Sequence, residues 1–366
     1  MDSVAYIAEA ITSATGPVIP AGAATKPALA ACAPSTTRID MRGLSGIVGY
    51  EPSEYLISAR AGTAISQLQS ALSEHGQYLP FDPMFVDQGA TLGGTVASGL
   101  SGSGHMLYGS LRDFVMEVEL VDGLGKLVRG GGKVVKNAAG FDLPKLLVGS
   151  YGRLGVLTEI TLKVFPRPQA FATLIAHWPS IAECIQATQS LMSQPLPLTA
   201  CDIEPSPSGE IQLSARFAAP SNSLPNVLRR GTASLNRTTE AIIEPDQERQ
   251  LWLARARQNE RIDHSQATFL VRIATSLDRL PSLFGNLTVL TDACPRSTGG
   301  GSCTWLSLKS MAEVESLDLW LSAHSLSGVV VNGTVQSLVA LGQKSWLKTA
   351  QKIQQAIDPQ RKFSSF

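Results

Sequence analysis

This chain is short of charge, of aromatic residues and of organised cysteine, and each shortage excludes something. Only 16% of its 366 residues are charged, and 30 basic residues balance 30 acidic ones. Sparse, balanced charge leaves no electrostatic footprint for nucleic acid, so a dedicated nucleic-acid binder is excluded. Aromatics make up 6%. The five cysteines (Cys32, Cys184, Cys201, Cys294 and Cys303) are scattered, and none forms a Cys-x-x-Cys pair. Their spacing offers neither a zinc knuckle nor an iron–sulfur ligand set; they read as small core residues in a reducing cytoplasm. No apolar run reaches the roughly 18 residues of a membrane span. Met1-Asp2-Ser3-Val4 has no basic segment followed by an apolar core, so no secretory signal is read. A Walker loop, Gly-x-x-x-x-Gly-Lys-Ser/Thr, is missing too.

What the chain does have is enough apolar residue, 44%, to bury a substantial core, and length for two domains of about 100–200 residues each. Its most distinctive stretch runs from Pro83 to Pro168. It holds Gly89-Ala90-Thr91-Leu92-Gly93-Gly94-Thr95-Val96-Ala97-Ser98-Gly99, Tyr108-Gly109-Ser110-Leu111-Arg112-Asp113 and Gly149-Ser150-Tyr151-Gly152-Arg153-Leu154-Gly155-Val156-Leu157-Thr158-Glu159. Glycine lets main-chain N–H groups approach a ligand, and successive free N–H groups make a concave nest for an anion. A flexible linker fits badly, because apolar, strand-like segments separate the glycines. Gly149-x-x-Gly152-x-x-Gly155 has the wrong spacing for a dinucleotide fingerprint and precedes a strand instead of opening a helix.

Local patterns order the rest. Val4–Ala14 predicts a helix ended by Gly16-Pro17, and Val18-Ile19-Pro20 a short strand entering the loop Ala21–Lys26. A strand at Tyr55–Ala59 leads to a helix capped by Thr63, with Ile65, Leu68 and Leu72 on one face. Phe114–Val121, turned by Asp122-Gly123-Leu124-Gly125, predicts a hairpin with a strand near Leu127. In the strand Val156–Val164, Val156, Ile160, Leu162 and Val164 alternate with Glu159, Thr161 and Lys163. Arg112-Asp113 suits an internal ion pair and Asp142 a helix N-cap. After Pro168 the texture changes. Strands are expected at Phe171–His177, Ile203, Ile211–Phe217, Thr268–Ala274, Thr288–Leu290, Thr304–Leu308 and Val329–Val331. Helices are expected at Ile181–Met192, Leu224–Leu235, Asp246–Gln258, Met311–Ser325 and Lys344–Ile357. That order gives an antiparallel sheet backed by helices, an α+β architecture.

The glycine-rich motifs, with Val134-Val135-Lys136-Asn137-Ala138-Ala139-Gly140-Phe141-Asp142-Leu143 between them, resemble the PCMH-type FAD-binding domain of the vanillyl-alcohol-oxidase family. Within it they look most like the FAD-binding subunits of bacterial glycolate oxidases (glycolate dehydrogenases). The resemblance covers the first half of the chain. It implies a two-subdomain FAD-binding domain over residues 1–168 and a smaller cap of antiparallel sheet and helices over 169–343. A C-terminal helix and tail, 344–366, would pack back on the FAD domain. Pro20, Ala21, Gly22, Ala23, Ala24, Thr25 and Lys26 stand where the family has its pyrophosphate loop; an ordinary strand-exit turn is the alternative. Without His or Cys in that loop, FAD is expected to be non-covalent. By the same resemblance Thr91, Leu92, Gly93, Gly94, Ala97, Ser98 and Gly99 contact the cofactor. Gly104, Tyr108 and Gly109 line the next part of the cleft, and Gly152, Gly155, Val156 and Leu157 close it.

Oxidation of a 2-hydroxy acid needs a cation for the carboxylate and a base for the hydroxyl proton. The second half offers Arg216, Arg255, Arg257 and Arg272, with His264 as a base. Arg272, in the apolar run Phe269–Ile273, is the candidate cation, because an inward arginine there calls for an anion; an outward strand face is the alternative. Arg255 and Arg257 read as surface helix. The resemblance then implies an FAD-dependent oxidoreductase subunit acting on glycolate or D-lactate. Its partners would be a homologous flavoprotein subunit and an iron–sulfur subunit leading to a quinone. Its place would be the cytoplasm, with peripheral membrane association through the complex. The alternative is a flavin-binding electron-relay or assembly subunit without its own substrate site. A nicotinamide-using cell-wall precursor reductase fits the block Gly140–Glu159 less well.

Overall fold

A computed structural model describes residues 3–132, 141–260, 269–290 and 294–366. The first half is built on a five-stranded antiparallel sheet in the order Ile47–Glu51, Leu56–Arg60, Val156–Lys163, Val115–Val121, Leu127–Gly131. Asp122 makes the last hairpin: its Oδ1 accepts from the N–H groups of Leu124 and Lys126, at 2.8 and 2.9 Å, a side-chain turn typical of aspartate. In the central strand the polar alternate face is also covered, since Thr161 hydrogen-bonds Ser58 at 2.7 Å in the interior. Beside this sheet, Val18–Ala21 and Thr37–Asp40 pair in parallel, and Phe363 bridges back to Val18.

From Ala170 the chain forms a nine-stranded sheet, antiparallel at every pairing. Its spatial order is Glu240–Ile242, Ala170–Trp178, Ile211–Ala219, Leu198–Pro205, Arg296–Thr298, Cys303–Leu308, Phe269–Ala274, Ser327–Asn332, Ala340–Gly342. Strand alternation sends Val271, Ile273, Leu306 and Leu308 to one face, against the helices Ile181–Met192, Leu224–Leu235, Leu280–Leu290 and Met311–Ala323. On the other face Leu270, Trp305, Val329 and Val331 join the core of the first sheet. The two sheets therefore share a continuous apolar layer.

Several local expectations are corrected. Thr63 does not cap the helix Ile65–Ser73. Its hydroxyl is buried and exchanges hydrogen bonds with the Gly46 main chain, while the Ala90 carbonyl takes the first helical N–H, that of Ile65, at 2.9 Å. Thr288–Leu290 ends the helix Leu280–Leu290 instead of forming a strand; Leu280, Leu283 and Leu287 recur at helical spacing and are fully buried, which outweighs the local β-propensity. Asp113 pairs with Ser110 in a capping box, not with Arg112. Asp142 does cap its helix, accepting from the Lys145 N–H. Cys184, Cys201 and Cys303 are buried, whereas Cys294 is exposed.

A buried polar contact joins the two halves. Ser103 donates to Asp202 Oδ2 at 2.7 Å, and Asp202 Oδ1 has no partner among the described residues. Burial, against the pull of Arg255 and with Glu204 and Asp82 nearby, raises the Asp202 carboxyl from 3.8 to about 7. A folded-state value above the unfolded one means that the native protein holds the extra proton between those limits. The aspartate then subtracts stability progressively from about pH 4 to 7. Asp202→Asn is expected to raise stability over wild type by more at pH 8 than at pH 5, as read by denaturant unfolding. An equal difference at both values would refute the assignment.

Candidate functional site

A solvent-open cleft of about 900 Å³ lies where three loops of the first half meet. Its first wall is the strand exit Pro20–Lys26. The N–H groups of Gly22, Ala23, Ala24 and Thr25 donate to no acceptor among the described residues. Ala24 sits at φ +54°, in the left-handed region, where an L-residue other than glycine is strained. Four free donors bent around such a turn form an anion nest. Cations stand at its edge. Lys26 Nζ donates to Thr25 Oγ1 at 2.9 Å, and Arg38 lines the cleft with no carboxylate beside it among the described residues.

The second wall is Thr91–Ser98, and here the glycine-rich motif turns out to be a helix, Leu92–Ser98. Its first N–H groups are consumed within the chain. Leu92 donates to Thr63 O, Gly93 to Ala61 O at 2.7 Å, and Gly94 to the capping Thr91 Oγ1 at 3.3 Å. Gly93 and Gly94 thus offer no free donors, and the glycines serve close packing instead. A Cβ on Gly93 would stand 2.9 Å from the Ala61 Cβ. Gly22 is matched to the same helix, since a Cβ there would land on Thr91 Oγ1. The third wall is Ser150–Gly155 with Leu157; Gly152, at φ +73°, presses on the Pro20 ring, where a Cβ would come within 2.7 Å.

The cleft therefore gathers Pro20, Ala21, Gly22, Ala23, Ala24, Thr25, Lys26, Thr91, Gly93, Gly94, Ala97, Ser98, Gly152, Gly155 and Leu157. Six other sequence candidates do not line it. Leu92 and Val156 face the core, and Gly99 is the left-handed stop of the helix. Gly104 donates to Asp82 Oδ2 at 3.1 Å. The Tyr108 ring meets Phe165 edge-on at 4.9 Å, and Gly109 packs on the Asp113 carboxylate. Sequence reasoning missed Pro27, Leu29, Ala30, Arg38, Met41, Ala61, Ser150 and Tyr151. Ser150 and Tyr151 sit inside a quoted motif, but nothing local marks Met41 or Ala61.

The second-half cations resolve unequally. Arg255 is buried, against the surface reading, and pairs with Glu204 at 2.6 Å. Arg216 is held by Glu248 at 2.8 Å, and Arg257 by Asp87 at 2.8 Å. Arg272 is half-buried and has no carboxylate partner among the described residues. Its guanidinium is near enough to Tyr151 and Cys303 to oppose the rise that burial gives both groups. His264 lies outside the described residues. No group of three or more potential metal ligands occurs among the described residues, and no helix there is long and apolar enough to cross a membrane.

Residues 1–131 match the family model described as an FAD binding domain. Glycolate oxidase subunit GlcE of Escherichia coli (strain K12) is 46% identical over 161 residues, 44% of this chain and 46% of that protein. A D-lactate dehydrogenase of Anaerostipes hadrus is 33% identical over 147 residues, 40% of this chain and 30% of that protein. Glycolate oxidase subunit GlcD of Bacillus subtilis (strain 168) is 28% identical over 178 residues, 48% of this chain and 38% of that protein. The chain thus spans less than half the length of these relatives. A solved alkyldihydroxyacetonephosphate synthase superposes with a TM-score of 0.72 over 99% of this chain and 74% of its own, at 17% identity, which speaks to fold. The match over residues 1–131 indicates FAD as the cofactor. The N–H nest and the flanking cations suit its pyrophosphate.

Two substitutions separate filling the cleft from loosening it. Gly94→Val places a branched side chain in the cleft, with its Cβ 3.1 Å from Thr91 Oγ1. It is expected to weaken FAD binding at least about tenfold, by steric exclusion, while unfolding stays cooperative. Thr91→Ala removes the helix cap and should lower stability by about 1 kcal/mol with a smaller effect on FAD. Flavin fluorescence titration and thermal unfolding of both variants check this, and wild-type affinity in Gly94→Val would place the cofactor elsewhere.

Proposed function

We propose that this chain is the FAD-binding subunit of a 2-hydroxy-acid oxidoreductase complex, oxidising glycolate or D-lactate to the 2-oxo acid. The observation that carries this is the cleft with its free Gly22–Thr25 N–H nest, in a chain whose relatives are glycolate oxidase subunits and D-lactate dehydrogenases. Bound FAD supplies the hydride acceptor. The chain's own part is to hold the pyrophosphate on the Gly22–Thr25 donors, to seat the cofactor between Thr91–Ser98 and Ser150–Leu157, and to keep it non-covalent, since no cleft-lining residue among those described is His or Cys. Arg272 is the cation we assign to a substrate carboxylate, because its guanidinium can donate two parallel hydrogen bonds and is not already neutralised. We read residues 1–168 as the flavin-binding unit and 169–343 as the cap that meets partners. In this reading the chain works in the cytoplasm or at the membrane's inner face through its complex. Electrons leave through an iron–sulfur subunit, because the five cysteines of this chain offer no cluster pattern.

A second reading, a flavin relay or assembly subunit without its own substrate site, has an observation behind it. The face of the nine-stranded sheet turned toward the first half is filled by Leu270, Trp305, Val329 and Val331, and Arg216, Arg255 and Arg257 are each spent on a carboxylate. Purified protein should be yellow, and acid precipitation should release all the colour. A colourless, FAD-indifferent protein would sink both readings. Anaerobic glycolate or D-lactate should bleach the isolated flavoprotein under the first reading and leave it oxidised under the second. Purification from native extract is expected to bring down a second flavoprotein and an iron–sulfur protein. A monomer that turns over glycolate rapidly with a quinone, unaided, would exclude the complex.

A further inference from the structure

Behind the cleft, one guanidinium ties two of its walls to a distant part of the chain. Arg153 has no exposed surface. Its Nη1 donates to Leu29 O at 2.6 Å and to Tyr151 O at 3.1 Å, its Nη2 to Ala31 O at 2.9 Å, and its Nε to Ser365 O at 2.9 Å. Leu29 and Tyr151 line the cleft; Ser365 does not. The segment 358–366 is fixed independently on the same spot. Val18 donates to Lys362 O at 2.7 Å and accepts from the Ser364 N–H at 3.1 Å, so the segment extends the parallel pair that begins at Val18. That strand runs directly into the Gly22–Thr25 nest. Gln354 Nε2 closes the cluster, donating to Arg153 O at 2.9 Å and to Ser364 O at 2.8 Å.

Resting on the assignment of FAD to this cleft, we propose that Arg153 is a positioning residue for the cofactor, through which docking of segment 358–366 and binding of FAD strengthen each other. The physical reasons are two. The carbonyls of Leu29, Tyr151 and Ser365 share one rigid planar donor, so releasing the segment frees the guanidinium to turn and lets the 29–31 and 150–152 loops drift from their cleft geometry. In addition, Arg153 is a buried charge with no carboxylate beside it among the described residues. Carbonyl dipoles hold it, with the Tyr151 and Phe366 rings 6.0 and 5.9 Å from its centre; none of these neutralises the charge, so an anion in the neighbouring nest lowers its free energy, and its field lowers that of the anion. The two equilibria are linked: whatever factor the docked segment adds to FAD affinity, FAD adds to docking.

The test uses the full chain and two readouts that need no turnover. Amide exchange at Val18, Lys362 and Ser364 should slow several-fold when FAD is added to wild type, although none of these residues lines the cleft. FAD titration should show about a tenfold weaker Kd for Arg153→Lys, a size ordinary for coupling between sites, because an ammonium cannot reach all four carbonyls. Gln354→Leu, which leaves the guanidinium in place but loosens the segment, should weaken FAD by a smaller factor. A purely structural arginine would lower thermal stability yet leave the exchange at 362–364 indifferent to FAD. If Arg153→Lys does not fold, Gln354→Leu and wild-type exchange decide. Wild-type Kd in a folded variant together with FAD-independent exchange overturns this inference and leaves the cleft assignment standing. Absence of FAD binding by wild type overturns both.

Discussion

Arg153 carries a positive charge into the interior with no carboxylate partner among the described residues, and the geometry around it follows from that. A buried guanidinium is tolerated only when most of its five donors are engaged. Here the acceptors are four main-chain carbonyls from three separate parts of the chain. Burial still pulls the group down, to about 10, which leaves it charged at neutral pH. Two other buried charges lean on an opposite charge instead. Glu119 takes Arg60 and Arg129, with Thr158 on its second oxygen. Glu248 takes Arg216 and Thr173. Those pairs can form within one sheet or between a sheet and its helix. The Arg153 arrangement cannot form until residues 29–31, 151 and 365 have converged, so it ties late, long-range structure to the cleft.

The cleft itself separates two uses of glycine that look alike in sequence. In the Gly22–Thr25 loop the main-chain donors have no acceptor among the described residues, so the backbone is available for recognition. In Thr91–Ser98 the donors are already satisfied, and the absent side chains let a short helix press against Ala61 and against the loop. The first use makes an anion site; the second sets how wide that site is. Ala24 shows that the chain accepts strain for the first use. A residue with a Cβ held at φ +54° costs roughly 1 kcal/mol or more relative to its relaxed backbone, and such outliers persist where surrounding structure over-determines them.

Much of this architecture is legible along the chain because the signals are local. The helices Ile181–Met192 and Leu224–Leu235 follow apolar spacing and capping residues. The hairpin at Asp122 follows turn chemistry, and the strand Val156–Lys163 follows alternation. The resemblance reaches the cofactor and the three loops that meet around it. What stays hidden depends on contacts between distant residues. Thr63 looks like a cap until Ala90 supplies the acceptor from elsewhere. Gly93 and Gly94 look like open donors until Ala61 and Thr91 take them. Arg255 looks like surface until Glu204 and Ser214 close over it. Short edge strands such as Glu240–Ile242 and Ala340–Gly342 carry too few residues for a period to show.

The same charge scarcity that opens the sequence also shapes what the second half can do. A cap that recognises a small carboxylate needs a cation not already committed, since a guanidinium saturated by a protein carboxylate has little left to give a substrate. Of the four arginines singled out there, three are paired with a carboxylate, each by a contact of 2.8 Å or less. Arg272 is the exception, and it sits on the sheet face that meets the flavin-binding half, near Tyr151 on the cleft wall. Its neighbours on that face are Leu270 and Trp305, whose packing belongs to the shared core. Under the proposed function, a carboxylate held by Arg272 would sit beside the cleft wall that carries Tyr151, so substrate and cofactor would be seated by neighbouring parts of the chain.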